Sequence, residues 1–577
     1  MAFFEFNVAM TGLFAAQRGL QVTSNNITNA STQGYSRQKL SQQAGMPLGG
    51  LSVGMIGTGV VTTGINRIRD SFIDNKIWTQ SPMLGEYNMK VTQNSVVEAA
   101  FGEPSDAGFT KVFNDMFSGM SELSKDPSSN EGKAVLKEEL VSFTKYFNNI
   151  ATTLEKQQKD LNFEIGNMVK EINSLATRIQ SLNQQIFDAE IYGQEASSFR
   201  DERDKCIDRL SEIVDVEVRE EDYDINGNTV KKFSVKIAGQ TLVDHLNVNT
   251  LEIKVREDKD KFNKVDQDGL YDLVWSNGND FDETDVNMSG ELKGLLDMRD
   301  GAGTGAKNSY NGVPYYLERL NSYVKQFAKT MNEQYSKDAD GYIQINNYQV
   351  LNNETATHVK KDDAGNITFY KQGTNGLEKV AAVTKDAQGN YILADKNGTD
   401  QNLPQDKIVE LINNYNTKYS LFTHTTGGVD GKPIASAALD YDNLTAENFS
   451  ISKEIYDNPY DMRTTYDPSN PSDTSFLLDL LAQKDNKEMF KEGDPKDYMV
   501  SIFAELGINA KEAEMYQKTQ VALTNNLKNQ RLSVSQVDTS EEFHFLIQYQ
   551  QAYQSAAKLM NTIDGIYETT IFKLGNF

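Results

Sequence analysis

The chain contains very little of the chemistry that usually identifies an enzyme or a disulfide-stapled domain. Its 577 residues include one cysteine and four histidines. A single cysteine excludes an internal disulfide and any metal site built from cysteines. The histidines lie in unrelated segments, without the spacing of a zinc-protease helix, at His245, His358, His424 and His544. We therefore predict no catalytic residue, no metal site and no cofactor.

Two segments partly match known binding motifs but lack features that those motifs require. The segment GGVDGKP at 427–433 lacks the Ser or Thr and the glycine spacing of a phosphate-binding loop. Residues 222–227 begin like a calcium loop, but its twelfth position is Phe233, where a bidentate glutamate is required. The favoured interpretation of Asn226-Gly227 is a tight turn between two strands.

Basic residues and long apolar runs are also scarce. Lys and Arg total 57 against 82 Asp and Glu, which gives a formal net charge of -25. Such an acidic chain is a poor candidate for binding nucleic acid phosphates or an anionic membrane face. No apolar run reaches the length of a transmembrane helix, and the start lacks the charged and apolar regions of a secretion signal. Composition alone would assign the chain to the cytoplasm.

What the sequence does contain is helical periodicity, strongest at residues 140–186. Apolar residues recur there every three or four positions, with Gln157 as the polar exception in the series and no proline. At 1.5 Å per residue this helix would be roughly 70 Å long, which predicts a coiled-coil-like rod. Three further helices are predicted, at 71–101, 197–213 and 315–335.

Elsewhere the pattern changes to the two-residue period of strands. Residues 230–243 and 251–257 alternate in this way. Residues 337–400 hold a weak repeat, in which KDADGYI, KDDAGNITF and KDAQGNYIL each place a Lys-Asp-x-x-Gly turn before an alternating strand. Each copy predicts a β-hairpin with Gly or Asn at positive φ. We predict a β-rich inserted domain at 337–445 that faces outward.

Both ends of the chain are long amphipathic helices. The N-terminal stripe runs into the Asn-rich tract NNITNASTQGY and consists of Phe6, Met10, Leu13, Ala16, Leu20 and Ile27. Near the other end, a helix is predicted at 495–506 and a long helical region from about 512. Its last part opens with a capping-box pattern, Thr539 to Glu542, followed by an apolar stripe. Because termini usually fray, such stripes predict a partner: each other, or further copies of the chain.

The N-terminal sequence also carries a family signature. GLFAAQRGLQVTSNNITNASTQGYSRQ resembles the signature of the rod, hook and hook-associated axial proteins of bacterial flagella. The matching residues are Leu20, Ser24, Asn25, Asn26, Ile27, Asn29, Gly34, Tyr35 and Arg37. This motif does not by itself distinguish rod, hook and hook-associated proteins.

Other segments narrow the resemblance to the family of flagellar hook-associated protein 1. GTGVVTTGINRIRDSFI at 57–73 looks like that family's version of the segment, with Arg67, Asp70 and Phe72. FRDERDKCIDRLSEIVDVEV, SGELKGLLDMRD and the C-terminal EEFHFLIQYQQAYQSAAKLMNTIDGIYETTI are similar to further landmarks. Residues 337–445 resemble nothing in the family, as expected of a variable outer domain.

The resemblance implies a structural component of the flagellum and not an enzyme. It implies a hook–filament junction protein that self-associates in a helical ring and buffers a flexible hook against a stiff filament. The implied partners are the flagellar hook protein, a second hook-associated junction protein on the filament side, and an export chaperone at the C-terminal helix. Neither nucleic acid nor a membrane is an expected partner. Export as an unfolded chain through the flagellar type III channel needs no cleavable signal, so an extracellular location replaces the cytoplasmic one.

The expected fold is mainly α with β insertions (α+β). We expect an elongated, multi-domain axial subunit with a long antiparallel, coiled-coil-like helical rod, a β-rich inserted domain, and terminal helices that pair in a coiled coil. The expected divisions are 1–65 for the inner-tube helix and linker, 66–336 for the rod domain with a small β part at about 214–290 and completed by 446–506, 337–445 for the outer domain, and 507–577 for the C-terminal inner-tube helix.

Eleven residues are expected at the assembly interface. Those on the helix stripes are Leu13, Leu20, Ile27, Leu546, Tyr549, Tyr553, Met560 and Ile563. Those expected to form the turn at the helix end are Asn25, Asn26 and Asn29. The sequence leaves open whether the terminal helices meet within one chain or only in the assembly.

Two alternatives stay open at this stage. Another axial protein, such as the hook subunit or a distal rod protein, would share the N-terminal signature, but the rod at 140–186 and the segment from Arg67 to Phe72 argue against it. A flagellum-surface adhesin would instead act through residues 337–445, and glycan binding by that domain would support this alternative.

Overall fold

The computed structural model describes most of the chain between residues 2 and 570. The ranges described are 2–50, 54–102, 108–191, 196–225, 228–282, 288–351, 354–362, 364–386, 388–413, 415–428 and 431–570. The predicted turn residues Asn226 and Gly227 lie outside them, but Ile225 pairs with Asn228 across that turn. The hairpin interpretation is therefore supported by the strands on either side.

Helices account for most of the described residues. They are α1 Ala2–Asn29, α2 Ser71–Phe101, α3 Phe109–Lys125, α4 Asn130–Glu190, α5 Ser197–Ile213, α6 Glu291–Asp300, α7 Val313–Tyr335, α8 Gln405–Asn413, α9 Lys453–Asp457, α10 Ser475–Leu481, α11 Pro495–Ser535 and α12 Thr539–Glu568. Together with the small sheets described next, they confirm the predicted α+β class.

The strands form small antiparallel sheets. The two-stranded sheets are β1 Gln38–Ala44 with β4 Val60–Arg67, β2 Leu48–Gly50 with β3 Gly54–Ile56, β9 Leu251–Val255 with β10 Tyr271–Trp275, and β16 Phe422–His424 with β17 Phe449–Ile451. One four-stranded sheet contains β5 Val216–Ile225, β6 Asn228–Ile237, β7 Gln240–Asp244 and β8 Asn247–Val248. One five-stranded sheet contains β11 Ile343–Leu351, β12 Glu354–Lys361, β13 Ile367–Gly373, β14 Gly376–Lys385 and β15 Tyr391–Asp395.

The predicted rod is the helix α4, which has 61 residues. At 1.5 Å per residue it is about 90 Å long. Its N-cap is Ser129, whose side chain accepts a hydrogen bond from the Gly132 amide. Helix α5 packs along it in the opposite direction, because Arg203 contacts Asn183 while Arg209 contacts Glu171. The antiparallel rod is thus confirmed.

The largest apolar core extends along most of α4, from Leu136 to Ile179, and many of its aromatic rings lie around the first half of that helix. Phe143 lies 5.2 Å from Phe327 of α7, centroid to centroid, and Phe147 stacks on Tyr323 at the same distance. Phe449 of β17 packs on Phe422 of β16 at 5.0 Å within the same core. Residues that precede the five-stranded sheet in the sequence and residues that follow it therefore form one core.

The five-stranded sheet has a separate apolar core. Its members run from Ile343 to Tyr415, and α8 covers one part of it. Leu421 already belongs to the first core. The sequence placed this domain at 337–445, whereas we propose from the two cores that it ends near residue 416.

Repeated turns organise this sheet, as the sequence repeat predicts. In each predicted copy the aspartate Oδ1 accepts hydrogen bonds from the backbone amides two and four residues further on, at Asp338, Asp362 and Asp386. The glycine that follows has φ between 75° and 88° in these three turns. A fourth such turn, which the predicted repeat does not include, begins at Asp395.

Helix α11 differs from its prediction. The sequence indicated one helix at 495–506 and a second helical region from about 512, but Pro495–Ser535 is continuous over 41 residues. Gly507 lies inside it. Glycine costs only about 1 kcal/mol within a helix, and packing of α11 along α2 outweighs that cost.

Candidate assembly interface

The two ends of the chain meet, because α1 and α12 pack against each other in antiparallel directions. Gly19 of α1 lies against the ring of Tyr549, so closely that a Cβ added at Gly19 would be 2.5 Å from the ring atoms. Arg37, just beyond α1, contacts Glu542 near the start of α12. The terminal helices therefore pair within one chain, the possibility that the sequence left open.

The expected stripe residues lie along this helix pair at different depths. Ile563 is buried, and Tyr553 is exposed. The others are half-buried: Leu13, Leu20, Ile27, Leu546, Tyr549 and Met560. Burial is incomplete because two helices side by side cover only one face of each other.

Small residues form much of the contact on α1, and of these the predicted stripe included only Ala16. Ala9, Ala15, Ala16 and Val22 are buried there, together with Gly19. Interhelix distance depends on the size of the side chains at the contact, so this run of small residues permits a close approach. Their helical spacing was visible in the sequence but was outweighed by the larger apolar residues.

The asparagines lie at the last turns of α1. Asn26 is only 1% exposed, its Nδ2 donates to the Gln38 carbonyl at 2.8 Å, and its Oδ1 accepts from the Gln38 amide at 2.9 Å. The amide of Asn26 thus bonds like a peptide group and joins the end of α1 to β1. Asn29 Nδ2 donates to the Asn25 carbonyl at 3.0 Å, and α1 ends there. Asn25 itself is exposed.

The start of α12 corrects the predicted capping box. The N-cap is Asp538 and not Thr539, because its carboxylate accepts from the Ser540 amide at 2.8 Å and the Glu541 amide at 3.3 Å. Glu542 is therefore not part of the helix cap. It is 2% exposed and accepts from Arg37 Nε at 2.7 Å.

A cluster of ion pairs joins this terminal pair to the rod domain. Arg67 Nη1 lies 2.6 Å from Asp204 and 3.2 Å from Asp201, both on α5. Asp201 also accepts from the Ser36 hydroxyl at 2.7 Å and the Ser36 amide at 3.0 Å. Burial raises the pKa of Asp201, although the hydrogen bonds from Ser36 oppose the rise.

The cluster continues onto α2 and α11. Arg69 Nε lies 2.7 Å from Asp74 of α2, and Arg531 of α11 lies 2.9 Å from the same carboxylate. Arg531 also donates to Asp208 of α5 at 2.6 Å. Breaking one member of such a buried cluster leaves a charge without its counterion, which is strongly destabilising. The cluster therefore fixes the direction in which the terminal pair leaves the rod.

A β-ribbon covers another side of α1. We call residues 38–50 and 54–67, which contain β1 to β4, the linker ribbon. Its Val60 amide donates to the Thr11 hydroxyl at 3.3 Å, and Thr62 is hydrogen-bonded to Arg18. The opposite face of β4 is exposed at Val61 and Ile65. The terminal unit is thus built of α12, α1 and the ribbon.

The described residues contain no group of three or more His, Cys, Asp or Glu side chains that could hold a metal ion. In the same part of the chain, no helix is long and apolar enough to cross a membrane. Cys206 is a half-buried free thiol on α5.

Comparison with known proteins matches the three parts of this architecture. Residues 94–346 match the helical domain of the flagellar hook-associated protein FlgK. Residues 6–35 match the flagella basal body rod protein family, and residues 528–571 match the C-terminal region of the flagellar basal body rod proteins FlgEFG. These matches together span more than half of the chain.

Individual relatives align over nearly the whole chain. Flagellar hook-associated protein 1 of Bacillus subtilis is 25% identical over 99% of this chain and 98% of its own length. The protein of the same name from Escherichia coli is 26% identical over 98% of each. Among solved structures, the flagellar hook junction protein FlgK of Burkholderia pseudomallei covers 80% of this chain and 100% of its own, with 14% identity and a TM-score of 0.46.

Proposed function

Because the chain belongs to the FlgK family of flagellar hook-associated proteins, a structural family of the bacterial flagellum, we propose that it forms the junction between hook and filament. One observation carries this proposal. The segments that match the rod-protein families are the ones that pair as α1 and α12, while the FlgK helical domain forms the rod beside them. In this proposal, copies assemble as a helical ring through the terminal helices.

The architecture supports a mechanical role. The 61-residue helix α4 and the 41-residue helix α11 give the subunit long, continuous axes. Axial load passes from the terminal pair through the ion pairs of Arg67, Arg69 and Arg531 into α2, α5 and the rod. A helix resists stretching because every turn is closed by backbone hydrogen bonds. The protein would thus buffer a flexible hook against a stiff filament.

The proposed partners are other flagellar proteins. The hook protein lies on one side in this arrangement, and a second hook-associated protein lies on the filament side. Before assembly, α12 exposes large apolar residues such as Phe543 and Ile547. Exposed apolar surface of this kind favours aggregation, so we propose that an export chaperone covers α12 until the chain leaves the cell through the flagellar type III channel.

Electron microscopy of a deletion strain tests the proposal. Cells without the protein should carry hooks that lack filaments and should release monomeric flagellin into the medium. Complementation with the full chain should restore filaments, whereas a chain without residues 540–577 should stay folded in its rod domain and fail to restore them. Normal filaments in the deletion strain would refute the junction role.

Circular dichroism and thermal unfolding of the purified truncated chain provide the control. The first apolar core draws on residues up to Leu506 and contains no residue of α12, so the truncated chain should keep a cooperative transition. Restoration of filaments by the truncated chain would show that the junction role does not require the pairing of α1 with α12.

A further inference from the structure

Charge is distributed very unevenly along this acidic chain. Although 82 residues are Asp or Glu, none occurs between Glu5 and Asp70. Within the linker ribbon, the stretch from Leu40 to Asn66 contains no charged residue of either sign. A second stretch without Asp, Glu, Lys or Arg lies in the middle of the structure's last helix, from Phe543 to Ala557.

The linker ribbon exposes apolar side chains, and those of Val61 and Ile65 lie on the face of β4 opposite to Thr62, which contacts α1. Met46 is 89% exposed and Met55 is 79% exposed, and both lie near the distal end of the ribbon. Ile56, Val61 and Ile65 are exposed as well. A strand that faces water on one side normally alternates apolar and polar residues, so apolar residues on the outer face indicate a surface that becomes covered.

Helix α12 exposes a second apolar surface within its uncharged stretch. Phe543 and Ile547 are 53% and 52% exposed. They are four residues apart and therefore lie next to each other on one face of the helix. The partner helix α1 does not cover this face. The ribbon and α12 pack on different sides of α1, because Arg18 contacts the ribbon while Gly19 contacts Tyr549.

Electrostatics favours these two surfaces for contact between copies of the chain. Each copy has a formal net charge of -25, so two copies repel each other wherever acidic surfaces come within about 8 Å at physiological salt. Surfaces without charge avoid that repulsion and gain from apolar burial. The two surfaces differ from each other, and a contact between unlike surfaces repeats from one copy to the next, as a ring or helix requires.

We propose that the outer face of the linker ribbon of one copy packs against the Phe543–Ile547 face of α12 in the next copy. The occupant of each surface is thus a second copy of this chain. The inference rests on the proposed function in one respect: it takes the chain to assemble with itself.

Disulfide cross-linking between copies tests the contact. In a Cys206→Ser background, one copy carries Val61→Cys and another carries Ile547→Cys, and both are expressed in the same cells. Isolated hook tips, treated with a mild oxidant, should yield a covalent dimer of the two variants. Val135→Cys on α4 is the matched control, because Val135 is 56% exposed, against 47% for Val61, but lies outside both surfaces and should not cross-link to Ile547→Cys. Cross-links to a protein of another size, or no dimer in tips that contain both variants, would overturn the proposal.

Charge substitution provides a second, independent test. The variants Val61→Glu and Ile547→Lys change exposed residues, so the thermal unfolding midpoint of the purified chain should stay unchanged. Each variant alone should incorporate at the hook tip at least tenfold less than the wild type, and the chain that carries both should regain incorporation. Val135→Glu should incorporate normally.

The two proposals fail in different ways. If the wild-type chain were found elsewhere than at the hook tip, the junction role would fail. In that case, sedimentation of the purified full chain at high concentration would still test the contact, since Val61→Glu should weaken self-association and Ile547→Lys in the same chain should restore it. If the wild type were at the hook tip and the double variant were not rescued, the contact alone would fail.

Discussion

Arg37 and Glu542 are 505 positions apart in the chain, yet Arg37 Nε donates to Glu542 Oε1 at 2.7 Å. The same guanidinium lies 3.0 Å from Glu541. Burial disfavours the charged form of Arg37, but the hydrogen bonds to Glu542 and Glu541 outweigh it and raise the pKa of Arg37. This contact holds the start of α12 against the end of α1, and we call it the terminal ion pair.

Breaking the terminal ion pair should locally separate α1 from α12. We expect Arg37→Met and Glu542→Gln each to cost about 2 kcal/mol. Arg37→Met leaves the buried Glu542 carboxylate without its counterion, and Glu542→Gln leaves Arg37 with only the exposed Glu541. The double variant should cost less than the sum of the two, since the second change removes a charge that is already unpaired. Hydrogen exchange of the α12 amides should accelerate roughly 30-fold in each single variant.

Lys39→Met is the control for that experiment. Lys39 is exposed and lies two residues beyond Arg37, so its replacement should leave exchange in α12 unchanged. Strictly additive effects of Arg37→Met and Glu542→Gln would mean that Arg37 and Glu542 do not interact in solution.

The close approach of α1 to α12 at Gly19 gives a second prediction. A Cβ at this position would lie 2.5 Å from ring atoms of Tyr549 and 2.7 Å from its Cγ, so the ring has to move. We expect Gly19→Ala to destabilise the terminal pair by about 1–3 kcal/mol. Gly12→Ala is the matched control, because nothing lies within 4 Å of its Cβ and alanine favours the helix by up to about 1 kcal/mol.

Exchange of the α1 amides distinguishes these outcomes. Gly19→Ala should increase the exchange rate and Gly12→Ala should decrease it. Tyr549→Ala in the Gly19→Ala background should recover part of the loss, because it removes the ring that the new methyl group meets. Equal protection in both alanine variants would show that the helices are further apart than 2.5 Å permits.

Local patterns were sufficient to predict α2, α4 and α5, although they divided α11 near Gly507. The period of three to four residues at 140–186 lies within α4, which extends from Asn130 to Glu190, and the bounds predicted for α2 and α5 match the observed Ser71–Phe101 and Ser197–Ile213. Asp70 fixes the start of α2, because its side chain accepts from the Phe72 amide. Signals of this kind lie within a few residues of the feature that they specify, so one sequence contains them in full.

Other features depend on contacts between distant residues, which one sequence does not show. Nothing near Gly19 indicates that an aromatic ring 530 positions further on will pack against it. Likewise, Phe422 joins the first core through Phe449, so the end of the inserted domain could not be located from strand periodicity alone. The capping box failed for a local reason, since Asp538 competes with Thr539 and has the stronger acceptor.

A carboxylate on the rod gives a pH-dependent prediction. Burial, and next the neighbouring carboxylate of Glu447, raise the pKa of Glu155 to about 7, above its ordinary value of 4.5. The folded state therefore binds this proton more tightly than the unfolded state does. Stability from this group increases as pH falls from about 7 towards 4.5, and above pH 7 the ionised carboxylate destabilises the fold.

Glu155→Gln should consequently stabilise the protein at high pH. We expect a gain on the order of 1–2 kcal/mol at pH 8, allowing for partial solvent exposure, and a much smaller gain at pH 5. Glu447→Gln should also stabilise at pH 8, because it removes the repulsion between the two carboxylates. Denaturant unfolding at both pH values measures the difference, with the exposed Glu138→Gln as a control. A gain for Glu155→Gln that is equal at pH 5 and pH 8 would contradict the raised pKa.

The two neighbouring asparagines at the end of α1 should respond very differently to mutation. Asn26 is buried and bonds both backbone groups of Gln38, whereas Asn25 is exposed. We expect Asn26→Ala to cost about 2–4 kcal/mol, because it removes the hydrogen-bond partner of two buried backbone groups. Asn25→Ala should change stability by less than about 1 kcal/mol.

Asn26→Asp separates hydrogen bonding from side-chain size. The aspartate keeps the acceptor for the Gln38 amide but places a negative charge against the Gln38 carbonyl, which it can no longer supply with a donor. It should therefore destabilise the junction of α1 with β1 at pH 7, and protonation at lower pH should reverse part of the loss. Exchange of the Gln38 amide measures both effects. Full protection of that amide in Asn26→Ala would show that water or another group replaces the asparagine, and that Asn26 does not hold the linker ribbon to α1.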